Sequence, residues 1–165
     1  MITKVFYDVR NDSDALFYHF AVNLCGIEDV QLMENAARPG RRRFLIGLEK
    51  CIDIYAPLSY SEKLRWKAVK EAGLKLYHPK HGGSYEVFNI RPIQMPIKDY
   101  CINDVQYLPQ LRERFWERLS NGWREKVKVE TQKRVLESQS KSYEPQGDKK
   151  KFDPWDCDSK MSFYI

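Results

Sequence analysis

The spacing richest in chemistry in this chain is Tyr100-x-x-x-Asp104, a phenol and a carboxylate separated by three residues. On a helix, residues four apart share one face, about a turn from each other. The carboxylate is a hard oxygen ligand suited to a divalent cation. The phenol can orient a water by hydrogen bonding. The plainer reading is a half-buried tyrosine beside an exposed aspartate, and the spacing alone favours it. Asp12 is the second candidate. It stands where a helix opens, and free amides and the helix dipole favour a carboxylate there. Its plainer role is to cap that helix, a task that Ser13 can do as well. Asp14 offers the same chemistry two residues on. Asp8 ends a strand, a place where the sites of α/β folds gather.

The remaining chemistry-bearing residues are less specific. Arg38-Pro39-Gly40-Arg41-Arg42-Arg43 places four arginines in six residues. Such a loop can grip phosphates or simply be solvated. His19, His78 and His81 have no metal-site spacing. Cys25, Cys51, Cys101 and Cys157 form no C-x-x-C pair, as expected of reduced thiols in an intracellular protein. Gly82-Gly83 is followed by no Gly-Lys-Ser/Thr and is not a phosphate loop. Trp66, Trp116 and Trp123 fall at helical positions and read as core, not as base-stacking platforms.

The elements that must position these residues follow from periodicity. Lys4–Val9 is β-branched and aromatic and reads as a buried strand. Ala15, Leu16, Phe17, Phe20, Ala21 and Leu24 recur at helical spacing, with Gly26 as the stop. Val30–Met33 reads as a second strand or extended run, so the opening is strand–helix–strand, the mark of an α/β layer. Phe44–Ile52 and Ser61–Ala72 read as helices, the second closed by Gly73. His78–Pro92 reads as a long loop, or as a loop with a short strand at Tyr85–Phe88. Pro96 suits the first turn of the helix that carries Tyr100 and Asp104, and Pro109 should kink or split it. A charged helix is expected from Arg112 to about Ser138. From Gln139 onward the Ser, Lys, Asp, Gly and Pro content predicts a largely disordered or loosely packed tail.

The chain has 165 residues, 42% of them hydrophobic and 13% aromatic, enough for one domain with a real core. There are 28 Lys and Arg against 23 Asp and Glu, a formal charge of +5. That mild basic bias is compatible with a polyanionic partner. No run of about 18 apolar residues is present, so no membrane span is expected. The N-terminal residues lack an apolar secretion core, which again predicts an intracellular location, nucleus or cytoplasm alike.

Four blocks, taken in order, carry a resemblance. They are Lys4-Val5-Phe6-Tyr7-Asp8-Val9-Arg10-Asn11-Asp12-Ser13-Asp14-Ala15-Leu16, Glu28-Asp29-Val30-Gln31-Leu32, Gly82-Gly83-Ser84-Tyr85-Glu86-Val87-Phe88, and Arg91-Pro92-Ile93 through Tyr100-Cys101-Ile102-Asn103-Asp104 to Pro109. Together they resemble the DEDDy branch of the DnaQ-like 3′–5′ exonucleases, the ribonuclease D and Werner-type domains, and most closely fungal proteins with a 3′–5′ exonuclease domain. The resemblance implies an α/β, ribonuclease H-like exonuclease fold over residues 1–120, then a charged helical extension over 121–138 and the tail over 139–165.

It further implies Mg²⁺ or Mn²⁺ in a two-metal site built from four acidic residues, acting on the 3′ end of single-stranded RNA or DNA. By position, Asp12 and Asp104 match metal ligands, Tyr100 matches the tyrosine that orients the attacking water, and Asp29 matches a structural aspartate. Arg91, Arg41, Arg42 and Arg43 are the expected nucleic-acid contacts, Arg91 as either a loop tether or a phosphate ligand. The family's Asp-x-Glu motif is missing, because no aspartate here is followed two positions later by glutamate. The implied fold therefore lacks its first strands. The expectation is a truncated exonuclease domain, inactive as it stands, with an open sheet edge that favours self-association or a protein partner. The rival expectation is a non-catalytic nucleic-acid-binding or adaptor protein on the same fold.

Overall fold

Asp29 organises the N-terminal region of the computed structural model, which describes residues 2–40 and 42–155. Two short parallel strands, β1 (Lys4–Phe6) and β2 (Ile27–Asp29), pair with Lys4 opposite Ile27 and Phe6 opposite Asp29. Parallel pairing requires a crossover, here made by helix α1 (Arg10–Phe20). β1 is shorter than the expected Lys4–Val9 strand because the chain turns at Asp8, whose φ of 59° is left-handed. That turn is fixed by the buried Asp29 carboxylate, which accepts from the amides of Asp8 (3.0 Å) and Val9 (3.3 Å). Asp29 also accepts from the Gln31 amide at 3.0 Å and so caps helix α2 (Val30–Ala37). The cap corrects the expected strand at Val30–Met33, which is the buried start of this helix. A second correction is at Gly26: α1 ends earlier, at a left-handed Ala21, while Gly26 (φ 66°) turns the chain into β2.

Helices α6 (Leu108–Trp116) and α7 (Asn121–Ser138) complete this part of the core. Val127, Thr131, Arg134, Val135 and Ser138 form the buried stripe of α7 at helical spacing. α2 packs on both α6 and α7, and α1 on α7. The expected single charged helix from Arg112 is thus two, broken between Trp116 and Asn121. The Ser120 hydroxyl accepts from the Trp123 amide and starts α7 afresh. Pro109 sits in the first turn of α6, so the expected split replaces a kink.

Residues 139–155 are built onto the unit, contrary to the expected loose tail. The Tyr143 hydroxyl bonds Asn11 at 2.6 Å, Arg10 donates to the Lys150 carbonyl at 2.9 Å, and the Leu45 amide donates to the Lys151 carbonyl at 2.9 Å. Phe44 and Phe152 form an antiparallel bridge with ring centres 5.4 Å apart. The aromatic residues of a polar segment supply these anchors, which average composition hides. The rest of the expected tail, with Cys157, lies outside the described residues.

Residues up to Gly47 and from Leu108 onward make one compact unit, and Leu48–Tyr107 make another. The expected 1–120 domain therefore spans a whole second unit and leaves out α7. The second unit holds α3 (Leu48–Tyr55), α4 (Tyr60–Tyr77) and α5 (Met95–Val105). α3 begins later than the expected Phe44. α4 opens with Ser59 and Glu62 capping each other's backbone amides. It runs straight through Gly73, because a side chain there would overlap the Tyr100 ring, with Cγ only 2.6 Å from a Cβ so placed. Gly73 thus allows close approach of α4 and α5 and ends nothing. The expected strand at Tyr85–Phe88 is a 3₁₀ turn, started by the Ser84 hydroxyl accepting from the Glu86 amide at 3.2 Å. Pro96 stands in the first turn of α5, as the sequence predicts. Among the described residues the fold is mostly helical with a small parallel sheet. That is compatible with part of an α/β exonuclease domain. No described helix is long and apolar enough to cross a membrane.

Candidate active site

In the second unit, α5 carries Tyr100 and Asp104 one turn apart, and α4 supplies what they touch. The Tyr100 and Tyr77 hydroxyls lie 3.0 Å apart, and their ring centres 5.1 Å. Lys70 bonds Asp104 at 2.9 Å, and its ammonium also lies 5.2 Å from the Trp66 ring centre and 5.7 Å from that of Tyr100. Trp66 is anchored in turn, its indole N–H donating to the Asn103 carbonyl at 3.0 Å while the Asn103 amide donates to the Trp66 carbonyl at 3.1 Å. Burial, then the Tyr77 hydrogen bond, then the Asp104 charge push the Tyr100 phenol far above the ordinary tyrosine range. Tyr100 is therefore held as a neutral phenol, and it shares one hydrogen bond with the Tyr77 hydroxyl. Asp104 is a carboxylate already neutralised by a lysine.

In the first unit, Asp12 sits in the first turn of α1. It does not cap the helix: Val9 stands at the cap, and Ser13 is buried. Partial desolvation, with the charges of Asp8 and Asp29 added, raises the Asp12 carboxyl above its ordinary value. Asp8 behaves oppositely. Burial works to raise it, but hydrogen bonds from Arg10 at 2.5 and 2.8 Å, with the charges of Arg134 and Lys150, hold it below the usual range. Arg134 is the centre of this network. It donates to Asp29 at 2.7 Å and to the Gln31 side chain at 3.0 Å, and stands 3.7 Å from Asp8.

The expected nucleic-acid arginines serve the fold as well. Arg91 donates to the Phe88 carbonyl at 2.8 Å and the Ile90 carbonyl at 2.9 Å, the geometry of a loop tether. Arg42 donates to the Ala36 carbonyl and lies over Trp123. Arg43 lies over Phe44. Arg41 is outside the described residues. Lys70, Tyr77 and Arg134 were not visible as site residues in the sequence. Lys70 lies 34 residues from Asp104, and no local pattern marks so long a pairing.

Residues 1–120 match a family model described as 3′–5′ exonuclease. The chain belongs to the 3′–5′ exonuclease family. The match supports membership of the DnaQ-like superfamily and, with it, chemistry of the nuclease kind. No curated protein and no solved structure matches the chain. The exonuclease family works with divalent metals, yet the residues at hand do not fit such a centre. Among the described residues, no three His, Cys, Asp or Glu side chains gather to hold a metal. Asp104 already faces an ammonium, and the sequence holds no Asp-x-Glu.

Proposed function

We propose that this chain is a 3′–5′ exonuclease domain of the DEDDy kind that engages single-stranded RNA or DNA but hydrolyses neither by itself. The Lys70–Asp104 ion pair carries this reading. A lysine ammonium occupies the position against Asp104 where the family pattern expects a divalent cation. Beside it, Tyr100 keeps its proton, and a neutral hydroxyl with a hydrogen bond to give suits a residue that orients a water or a phosphate oxygen. Asp12 is the remaining acidic residue that the family pattern assigns to the site, with Asp14 as its rival. Hydrolysis then awaits carboxylates that these residues do not provide.

The test uses the purified chain with 5′-labelled single-stranded RNA and DNA and Mg²⁺ or Mn²⁺. The expected gel shows uncut oligonucleotide at every time point, with retarded bands under native conditions. A ladder growing from the 3′ end would overturn the reading. A second reading, an enzyme completed by a segment bearing Asp-x-Glu, is favoured by the intact Tyr100-x-x-x-Asp104 spacing. It predicts that adding such a segment restores laddering and that Asp104→Asn then abolishes it.

A further inference from the structure

Arg10, Arg38 and Arg112 each grip a carboxylate through the Nε and Nη2 edge of the guanidinium, Arg10 on Asp8, Arg38 on Glu34 and Arg112 on Glu28. Arg91, in the second unit, is held differently. Its Nη1 donates to the Phe88 carbonyl at 2.8 Å and to the Ile90 carbonyl at 2.9 Å. The two carbonyls fix the guanidinium without cancelling its charge. Among the described residues its Nε and Nη2 edge meets no acceptor, and it forms no ion pair. Arg91 is exposed, and that edge has the geometry of a two-pronged clamp for an anion.

The same loop presents an aromatic ring. Tyr85 opens the 3₁₀ turn that Ser84 starts, and it is 58% exposed. Its ring centre lies 5.7 Å from that of Tyr77, and the Phe88 ring lies 5.3 Å from Tyr77. Tyr77 also meets the Tyr100 hydroxyl, so it bridges Tyr85 to the candidate site. Main-chain bonds hold the loop on the end of α4. The Ser84 amide donates to the Leu76 carbonyl at 3.0 Å, and the Gly83 amide to the His78 carbonyl at 3.2 Å. From His78 to Arg91 the sequence has two cations, Lys80 and Arg91, against one carboxylate, Glu86, so the loop does not repel phosphate. Glu86 is engaged within the turn, accepting from the Asn89 side chain at 3.0 Å.

We infer that the Ser84–Arg91 loop seats the 3′-terminal nucleotide of single-stranded nucleic acid, with its base stacked on Tyr85 and its phosphate held by the Nε and Nη2 edge of Arg91. An exposed phenol ring takes any base that offers a free face, and a base inside a duplex offers none. A fixed guanidinium with an open edge matches a phosphate in shape and charge. The 3′ end is the one expected here because Tyr77 joins Tyr85 to Tyr100. The inference rests on the functional reading and deepens it by naming the residues that hold the substrate. It requires no hydrolysis.

The experiment is fluorescence anisotropy of 5′-labelled oligothymidine with the full chain in EDTA. Three oligonucleotides are compared: intact, lacking the base at the 3′ terminus, and lacking one base near the 5′ end. The parent should bind the second about tenfold more weakly than the first, and the third as well as the first. Tyr85→Ala should bind the intact strand about tenfold more weakly and no longer distinguish the three. Tyr85→Phe keeps the ring and should bind as the parent does. Arg91→Lys keeps the charge, loses the two-pronged edge and should bind several-fold more weakly. Tyr60→Ala removes another exposed ring of the second unit, 78% exposed, and should change nothing. If Tyr85→Ala shifts the melting curve, the three oligonucleotides on the parent alone still decide. Parent affinity that ignores the 3′ base, or Tyr85→Ala binding as Tyr60→Ala does, would overturn the inference and leave the functional reading standing. No binding by the parent would overturn both.

Discussion

The Asp29–Arg134 and Lys70–Asp104 pairs join the same kinds of group at nearly the same distance, 2.7 and 2.9 Å, in opposite surroundings. The Asp29 and Arg134 side chains are 0% and 3% exposed, and Asp29 also receives three backbone amides. Lys70 and Asp104 remain 20% and 25% exposed, and the lysine is what holds the Asp104 carboxylate. Taking two charges out of water is costly, and only a nearly complete set of hydrogen bonds offsets it. The first pair has that set and works as architecture. The second keeps water in reach and has fewer partners around it.

The sharpest way to break this contrast is to remove one buried partner. Arg134→Ala should destabilise the protein by about 3–5 kcal/mol, because it strands the Asp29 charge. Urea unfolding followed by circular dichroism measures it, and a loss below about 1 kcal/mol would put the two pairs in one class. Asp8→Asn comes next, at about 1.5–3 kcal/mol, through its charged hydrogen bonds with Arg10. Asparagine tolerates the left-handed backbone there, so the change tests the carboxylate's charge and second acceptor and leaves the turn alone.

Because the folded-state carboxyl of Asp8 is depressed, its contribution is present above the ordinary aspartate value of about 3.9 and is lost as pH falls through the lower native value. The parent's stability should therefore fall more steeply than the variant's on the acid side of about pH 4. Urea midpoints at neutral and acid pH check the slope. Tyr100→Phe removes one hydroxyl contact with Tyr77 and should cost about 1 kcal/mol in the same assay. Lys70→Gln should cost about 1 kcal/mol or less, because this part-buried pair keeps water in reach. A larger loss would make Lys70 part of the architecture and put the two pairs in one class.

Local signals were legible and long-range ones were not. The α5 helix with Tyr100 and Asp104 on it, the split at Pro109 and the end at Ser138 follow from spacing, proline chemistry and periodicity, all of which act within a few residues. Val30–Met33 misleads because an apolar run fits a strand or a buried helix equally, and only the Asp29 cap decides. Gly73 misleads because a glycine that admits a neighbouring ring looks the same in sequence as one that stops a helix. The partner of Asp104 lies 34 residues away, and the charge of the site depends on it. The Arg42–Trp123 contact belongs to the same class of hidden facts, since it forms only through the fold.

The contacts of residues 139–155 also order events during synthesis. The first unit joins the beginning of the chain to its later part, whereas Leu48–Tyr107 is continuous. A ribosome adds about 5–20 residues per second, so the continuous unit has its whole sequence some seconds before the other. Until Tyr143, Lys150 and Phe152 emerge, Asn11, Arg10 and Phe44 have no partners from that segment. Until α7 and this closing segment emerge, the region of the two strands lacks the Asp29–Arg134 pair and the Asn11–Tyr143 bond.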